Sequence, residues 1–156
     1  MRGRLVLVGA GHAHLTVLRR LEEFTSRGVR VTVVGPAAVH YYSGMGPGLL
    51  AGAYRPEEAR VAVRALALAR GAEFREDRAV AVDPAARRIV LASGGALPYD
   101  AASFNVGSLV PVDPRLAPHA ALFPVKPIEN LLAARQALSA RSEERRVGKE
   151  CRSRWS

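Results

Sequence analysis

Two glycines near the start of the chain stand where a backbone could approach a phosphate group. Gly9, Ala10 and Gly11 directly follow the apolar run Arg4–Val8. Gly9 allows a tight turn, and Gly11 lets the backbone approach a pyrophosphate over the N-terminus of the following helix. A Gly-x-Gly pair alone is weak evidence, but its place between a buried strand and an amphipathic helix predicts dinucleotide binding.

The motif departs from the usual dinucleotide fingerprint at two places. His14 stands where a third glycine normally permits close packing of the helix on the strand. The acidic residue that usually ends the second strand and binds a ribose hydroxyl is replaced by Gly35 and Pro36. We therefore expect ribose recognition to come from other groups or from the backbone.

The polar residues around these glycines predict neither a metal site nor a hydrolytic site. His12 and His14 are two residues apart, about 200° around a helix, so they do not share a face as metal ligands would. His14 is expected to be a packing residue or a hydrogen-bond donor beside the cofactor. Ser43 lacks a Gly-x-Ser-x-Gly elbow, so no serine nucleophile is predicted. The catalytic residues stay unknown at this point.

Alternating strands and helices must position the glycine turn. Apolar residues at helical spacing predict one helix over residues 12–24, and a β-branched run predicts a buried strand over 29–34. Because crossovers of this kind are right-handed, the first two strands are expected to be parallel. The glycine-rich segment 40–54 is expected to be irregular. The later expectations are a helix over 56–71, a strand at Glu73–Glu76, an antiparallel hairpin or meander at 79–82 and 88–92, a strand over 99–106 and a helix over 127–140.

The composition describes a globular chain without the charge clustering of a nucleic-acid-binding protein. The 156 residues are 49% hydrophobic and 24% charged, with a formal net charge of +9, which suits one domain. Twenty-one of the 23 basic residues are arginines, scattered before residue 141, so no nucleic-acid partner is predicted. No apolar run approaches the roughly 20 residues of a transmembrane segment, and a cytoplasmic location is expected. The single cysteine, Cys151, predicts no redox dithiol.

Five strings resemble, in order and spacing, the NADH-dehydrogenase-like branch of the FAD-dependent pyridine nucleotide-disulfide oxidoreductases: VLVGAGHAHLTVLRRL, VTVVGP, YYSGMGPGLLAGAY, LPYDAASFNVGS and FPVKPIENLL. The resemblance runs from about Arg4 to Ala140. It is strongest to the flavoprotein found alone or fused ahead of selenide, water dikinase, so such a fusion is a possible partner arrangement in the intact gene. It implies an α/β, Rossmann-like FAD-binding domain, with a parallel sheet flanked by helices and a small antiparallel meander. FAD is the implied cofactor and NAD(P)H the implied co-substrate.

The resemblance also implies which residues contact the cofactor. The candidates are Gly9, Ala10, Gly11 and His12 at the pyrophosphate with His14 beside the cofactor, Ser43, Gly44 and Met45 toward the flavin, the backbone of Ala79 or Val80 at the adenine, and Gly107 and Ser108 as a second glycine signature. These roles follow from position in the motifs alone.

Residues 141–156, RSEERRVGKECRSRWS, differ in texture from everything before them. The string resembles the in-frame translation of a short-read sequencing adapter; the alternative is a charged helix extension. Without it, basic residues fall from 23 to 17 and acidic residues from 14 to 11, so the net charge falls from +9 to +6. The expected organisation is the N-terminal part of a truncated FAD-binding domain over 1–140, followed by an artefactual tail over 141–156.

Three functions stay open on the sequence. The first is an FAD-binding fragment of an NAD(P)H-dependent oxidoreductase, in which hydride passes from NAD(P)H to FAD and then to an unknown small-molecule electron acceptor. The resemblance implies a later NAD(P)H-binding domain, so the fragment itself is expected to be inactive. The second is an NAD(P)-binding Rossmann dehydrogenase, although the chain has no Tyr-x-x-x-Lys pair. The third is a non-catalytic nucleotide-binding module.

Overall fold

The structure is a computed structural model, and it describes residues 3–116 and 122–153. The chain forms two compact units, Met1–His40 with Arg60–Gly107 and Tyr41–Ala59 with Ser108–Ser156. The first unit carries the glycine turn.

Strands and helices alternate along the chain. In chain order the elements are β1 (Arg4–Val8), α1 (His12–Arg19), α2 (Glu22–Thr25), β2 (Arg30–Gly35), β3 (His40–Tyr41), a 3-10 helix (Ser43–Met45), α3 (Gly46–Ala51), β4 (Arg60–Val61), α4 (Val63–Leu68), β5 (Glu73–Glu76), β6 (Ala79–Asp83), β7 (Arg88–Leu91), β8 (Ala96–Pro98), β9 (Ala101–Phe104) and α5 (Asn130–Ser153).

A four-stranded parallel sheet forms the centre of the first unit. Its strand order is β5-β2-β1-β9, and β1 pairs in parallel with β2 on one side and with β9 on the other. Strands β6, β7 and β8 form a separate antiparallel meander. The α/β, Rossmann-like fold class with an inserted meander is therefore confirmed, and the carboxyl ends of all four parallel strands lie at one edge.

Both faces of the central strands are covered by apolar side chains. Successive side chains of a strand point to opposite faces. Leu7 and Val33 accordingly join a core cluster with the helical residues Leu18 and Val63. On the opposite face, a second cluster contains Val6, Val8 and Val34 of the central strands together with Ile89 and Leu91 of the meander. This two-sided burial explains why β1 and β2 are continuous apolar runs rather than alternating ones.

The single helix predicted over residues 12–24 is interrupted. The chain tightens after α1, because the backbone N–H of Arg20 donates to the carbonyl of Val17, three residues back rather than four. A shorter second helix, α2, then begins at Glu22. Leu21, at the junction, is fully buried, so the interruption leaves the apolar side of the segment in the core.

The prediction of a helix over residues 56–71 is wrong for the first half of that range. The backbone N–H of Arg55 donates to the Glu58 carboxylate at 2.7 Å, and the N–H of Glu58 donates to the Arg55 carbonyl at 3.1 Å. These reciprocal bonds close a turn instead of starting a helix. Strand β4 follows, and only α4 (Val63–Leu68) is helical.

The segment 40–54, expected to be irregular, contains a 3-10 helix and α3. Its glycines suggested a loop, yet a Cβ at Gly48 would overlap the ring of Tyr54. Gly48 therefore allows the close packing of Tyr54 on α3. Two further differences are that β8 was not predicted and that α5 continues to Ser153, past the expected end at residue 140. The last three residues of the proposed tail lie outside the described residues.

Candidate functional site

The turn between β1 and α1 requires glycine at its first position. Gly9 has a φ of +83°, a conformation that L side chains rarely adopt. A Cβ added there would overlap the carbonyl group of Asn105 and lie 2.8 Å from the Cα of Val106. The N–H of Gly9 donates to the Val34 carbonyl at 2.8 Å. The turn is thus enclosed between the end of β2 and the segment that follows β9.

Gly11 precedes the first helical residue and brings the helix start against the same segment. Its N–H donates to the backbone carbonyl of Asn105 at 3.0 Å, and a Cβ would overlap the Asn105 side chain. The sequence explained Gly11 by the approach of a pyrophosphate. In the structure its nearest neighbour is Asn105, so the close approach serves the protein's own packing. Contact with a pyrophosphate stays a prediction.

Asn105, directly after the neighbouring strand β9, caps α1, and sequence reasoning missed it. Its side-chain oxygen accepts a hydrogen bond from the N–H of Ala13 at 3.1 Å and a longer one from the N–H of His14 at 3.5 Å. Helix N-termini leave such donors without intrahelical partners, and Gly11 has no side chain to serve them. One signal was available in the sequence. No Ser, Thr, Asp or Asn directly precedes the predicted helix, so a side-chain cap had to come from another part of the chain.

His14 occupies the third-glycine position of the fingerprint and points into the protein. Its side chain is 2% exposed. Its Nδ1 lies 2.8 Å from the carbonyl oxygen of Gly9, and its Nε2 lies 2.8 Å from Oγ of Ser103 on β9. His14 is thus both packed and hydrogen-bonded within the protein, with Gly9 and Ser103 as partners, and a role beside the cofactor stays a prediction. Ser103 was not among the predicted site residues.

The first turn of α1 suits a negatively charged ligand. It consists of His12, Ala13 and His14, which place no carboxylate at this end of the helix. The N-terminus of a helix carries roughly half a positive charge, and backbone N–H groups point outward there. The turn, the helix start and the carboxyl ends of the parallel strands therefore form a site whose positive charge suits a dinucleotide pyrophosphate, while the N–H groups of Ala13 and His14 donate to Asn105.

The region expected to hold the adenosine lies beside the end of β2. The carbonyl of Gly35, which stands in the place of the usual acidic residue, accepts a hydrogen bond from the N–H of Asp77 at 2.9 Å. The Asp77 carboxylate accepts bonds from the Ser93 hydroxyl at 2.6 Å and from the N–H of Arg78 at 2.7 Å. The Ser93 hydroxyl, followed by the Arg78 N–H, lowers the pKa of Asp77. Asp77 thus joins the end of β2 to the start of the meander.

The predicted adenine contacts lie just beyond this junction. Ala79 begins β6 and packs against the second core cluster, whereas the Val80 side chain is 61% exposed. The pairing of β6 with β7 shifts between Ala79 and Ala81, so Val80 lies at a bulge. Bulges leave a backbone group out of the strand pairing, which suits a backbone contact to a ligand. The contact itself stays a prediction.

The remaining predicted residues are split between the two units. Ser43, Gly44 and Met45 form the 3-10 helix of the second unit, and Ser108 also belongs to that unit. Gly107 ends the first unit with a φ of +78°. The structure therefore brings Gly9, Gly11 and His14 together with Ser103 and Asn105. The roles of Ser43, Gly44, Met45, Gly107 and Ser108 toward the cofactor stay predictions.

Two broader features of the described chain bear on function. In the part of the chain that the structure describes, no group of three or more His, Cys, Asp or Glu side chains is arranged to hold a metal ion. Within the same residues, each helix is too short or too polar to cross a membrane.

Solved structures of three oxidoreductases are similar to this chain. The sulfide:quinone oxidoreductase of the hyperthermophilic bacterium Aquifex aeolicus matches with a TM-score of 0.76 and 19% identity, over 88% of this chain and 32% of that chain. NDH2 of Plasmodium falciparum, solved in complex with NADH, matches with a TM-score of 0.70 and 16% identity, over 86% and 28%. The ferredoxin reductase for the CYP199A2 system of Rhodopseudomonas palustris matches with a TM-score of 0.72 and 19% identity, over 89% and 35%.

These similarities establish the fold. The chain spans about a third of the length of the solved chains that it matches. No protein-family model matches the sequence, and no curated protein matches it.

Proposed function

We propose that this chain is the FAD-binding part of an NAD(P)H-dependent flavoprotein oxidoreductase. The observation that carries the proposal is the Gly9–Gly11 turn, held between β1 and α1 of a parallel sheet with the order β5-β2-β1-β9. The likeness to solved chains named as a sulfide:quinone oxidoreductase, an NDH2 with NADH and a ferredoxin reductase supports an oxidoreductase. The sequence resemblance supports FAD over other dinucleotides.

Each predicted residue has a place in this proposal. The turn formed by Gly9, Ala10, Gly11 and His12 lines the pyrophosphate at the N-terminus of α1, and the backbone at Ala79 or Val80 contacts the adenine. Ser43, Gly44 and Met45 lie toward the flavin, and Gly107 with Ser108 contacts the cofactor again. Bound FAD would accept hydride from NAD(P)H and pass the electrons to an acceptor of unknown identity. Because residues 1–140 contain no cysteine, this part of the chain supplies no thiol to that transfer.

Four further parts of the proposal rest on the sequence. They are that residues 141–156 are translated adapter, that a fusion to selenide, water dikinase is one of two arrangements for the intact gene, that the protein is cytoplasmic, and that the 156 residues alone do not oxidise NAD(P)H. The last part has a physical reason, since hydride transfer needs the nicotinamide stacked against the flavin and the resemblance assigns the nicotinamide to a separate domain. Anaerobic mixing of the chain with FAD and NADH should leave the flavin oxidised; reduction at an enzymatic rate would contradict this part.

The central test is equilibrium titration of the chain with FAD, FMN and NADH. FAD is expected to bind weakly, and FMN is expected to bind far more weakly still because it lacks the pyrophosphate and the adenosine. Gly11→Val should abolish FAD binding, because its side chain meets Asn105 and displaces the turn. Gly95→Val is the matched control, since a Cβ at Gly95 meets nothing within 4 Å. Tighter binding of NADH than FAD, or full FAD binding by Gly11→Val, would overturn the proposal.

A further inference from the structure

We propose that His14 is a positioning residue that, together with Ser103, orients the glycine turn toward the dinucleotide pyrophosphate. This inference rests on the proposed function and extends it to two side chains whose partners were unknown from the sequence. In the usual fingerprint a third glycine at this position only permits close packing. Here a large imidazole fills the position and joins the turn to β9.

The partners of His14 determine which ring nitrogen carries the proton. Nδ1 lies 2.8 Å from the carbonyl oxygen of Gly9, and a carbonyl oxygen can only accept, so Nδ1 carries the hydrogen. In the neutral ring Nε2 is then an acceptor, and the hydroxyl of Ser103, 2.8 Å away, donates to it. The bonds form one directed chain from the Ser103 hydroxyl through the imidazole to the Gly9 carbonyl.

This chain of bonds determines the orientation of the next backbone donor. The peptide between Gly9 and Ala10 is trans, so its C=O and its N–H point in opposite directions. Because His14 is buried and holds the Gly9 carbonyl inward, the N–H of Ala10 points away from the imidazole. The N–H groups of Gly9 and Gly11 are already used by Val34 and Asn105.

Ala10 is therefore the turn residue whose N–H is available to the cofactor. Within the described part of the chain, this N–H has no protein hydrogen-bond partner. The hydrogen bonds from Ser103 through His14 to Gly9 form a bridge between β9 and the turn. This bridge keeps the Ala10 N–H oriented toward a pyrophosphate oxygen before FAD binds. Such preorganisation removes an ordering cost from binding.

The bridge also connects β9 with the turn that follows its neighbouring strand, β1. Ser103 pairs with Leu7 in the β1–β9 register, while His14 lies on the helix that follows β1. Replacing Ser103 should therefore loosen the turn without creating a cavity in the core. Replacing an aliphatic side chain of the first core cluster should instead destabilise the fold without changing the orientation of the Gly9 carbonyl. Leu21, which is 0% exposed in the cluster that also contains Leu7 and Leu18, provides that comparison.

The test compares FAD dissociation constants and thermal stability of the full 156-residue chain and four variants. His14→Gly completes the three-glycine fingerprint, yet we expect it to weaken FAD binding at least tenfold. Ser103→Ala should weaken FAD binding roughly threefold to tenfold, the usual worth of one hydrogen bond, and Ser103→Thr, which keeps the hydroxyl, should restore it. Leu21→Ala should lower the melting temperature more than Ser103→Ala does, with a dissociation constant within about twofold of the unaltered chain.

Two results would overturn the inference. Unweakened FAD binding by His14→Gly would show that an ordinary third glycine suffices, and loss of FAD binding in proportion to stability, with Leu21→Ala affected most, would show a merely structural role.

Nitrogen-15 NMR of the histidine ring supplies a readout that needs no cofactor: Nδ1 should be protonated, and Ser103→Ala should shift the Nε2 resonance. A protonated Nε2 with a bare Nδ1 would contradict the bridge. If the unaltered chain binds no FAD, the proposed function fails together with the role toward pyrophosphate, whereas the NMR result judges the bridge separately.

Discussion

The side-chain oxygen of Asn105 lies 3.1 Å from the backbone nitrogen of Ala13, so the residue that follows β9 caps the start of α1. The backbone carbonyl of the same asparagine accepts from Gly11 at 3.0 Å. One residue therefore supports the proposed pyrophosphate site through both its backbone and its side chain, and it lies 92 residues from the helix that it caps.

Asn105→Ala is expected to lower the free energy of unfolding by about 1 kcal/mol, the usual cost of losing a helix cap. Asn105→Asp keeps an oxygen in place and adds a negative charge at the positive end of α1, so its stability should equal or exceed that of the unaltered chain. Urea unfolding followed by circular dichroism measures both variants. Equal destabilisation by Ala and Asp would show that Oδ1 does not act as the cap.

Gly9→Ala should cost more stability than Gly94→Ala, although both glycines have a positive φ, +83° and +93°. A Cβ at Gly94 meets nothing within 4 Å, whereas one at Gly9 overlaps the Asn105 carbonyl. The left-handed backbone should cost each variant roughly 1–2 kcal/mol, and the overlap should add about 1–3 kcal/mol at Gly9. Denaturation midpoints of the two variants provide the comparison, and equal midpoints would contradict the close approach of Asn105.

The Arg4–Asp100 pair should make stability depend on pH in the acid range. The side chain of Arg4, followed by its backbone N–H, lowers the pKa of Asp100 to about 2. Because the pKa is lower in the folded chain than the value of about 3.9 in an unfolded one, the stabilising contribution is complete above about pH 4 and is lost as the pH falls toward 2. The stability difference between the unaltered chain and Asp100→Asn should therefore shrink over this range in urea titrations; a constant difference from pH 5 to pH 2 would contradict it.

Ile89→Ala should destabilise the first unit by about 2–5 kcal/mol, because a fully buried side chain leaves a cavity in the second core cluster. Val82→Ala, on the paired strand β6 but exposed, is the matched control and should change stability by less than about 0.5 kcal/mol. The loss at Ile89 should also weaken FAD binding, since the meander carries Ala79 and Val80. Similar melting temperatures for the two variants would show that the meander does not depend on this cluster.

The first two strands, the glycine turn and the helix between them were predictable from the sequence because their signals are local. An apolar run ending at Gly9, a helical pattern after Gly11 and a β-branched run over 29–34 are each contained in a short window. Burial on both faces of β1 and β2 makes these runs continuous. The errors arose where the sequence does not show which nearby groups will meet: Arg55 and Glu58, three residues apart, close a turn in place of a helical start, and packing of Tyr54 explains Gly48.

The sequence by itself determined that a dinucleotide-type turn lies between β1 and α1, but not what supports it. Nothing local distinguishes Ser103 or Asn105 from other polar residues near the end of a strand. They become partners of His14 and Ala13, 89 and 92 residues away, only because β9 pairs with β1. A hydrogen bond requires two groups within about 3 Å, and for residues so distant in the chain only the strand order of the folded sheet decides which groups meet.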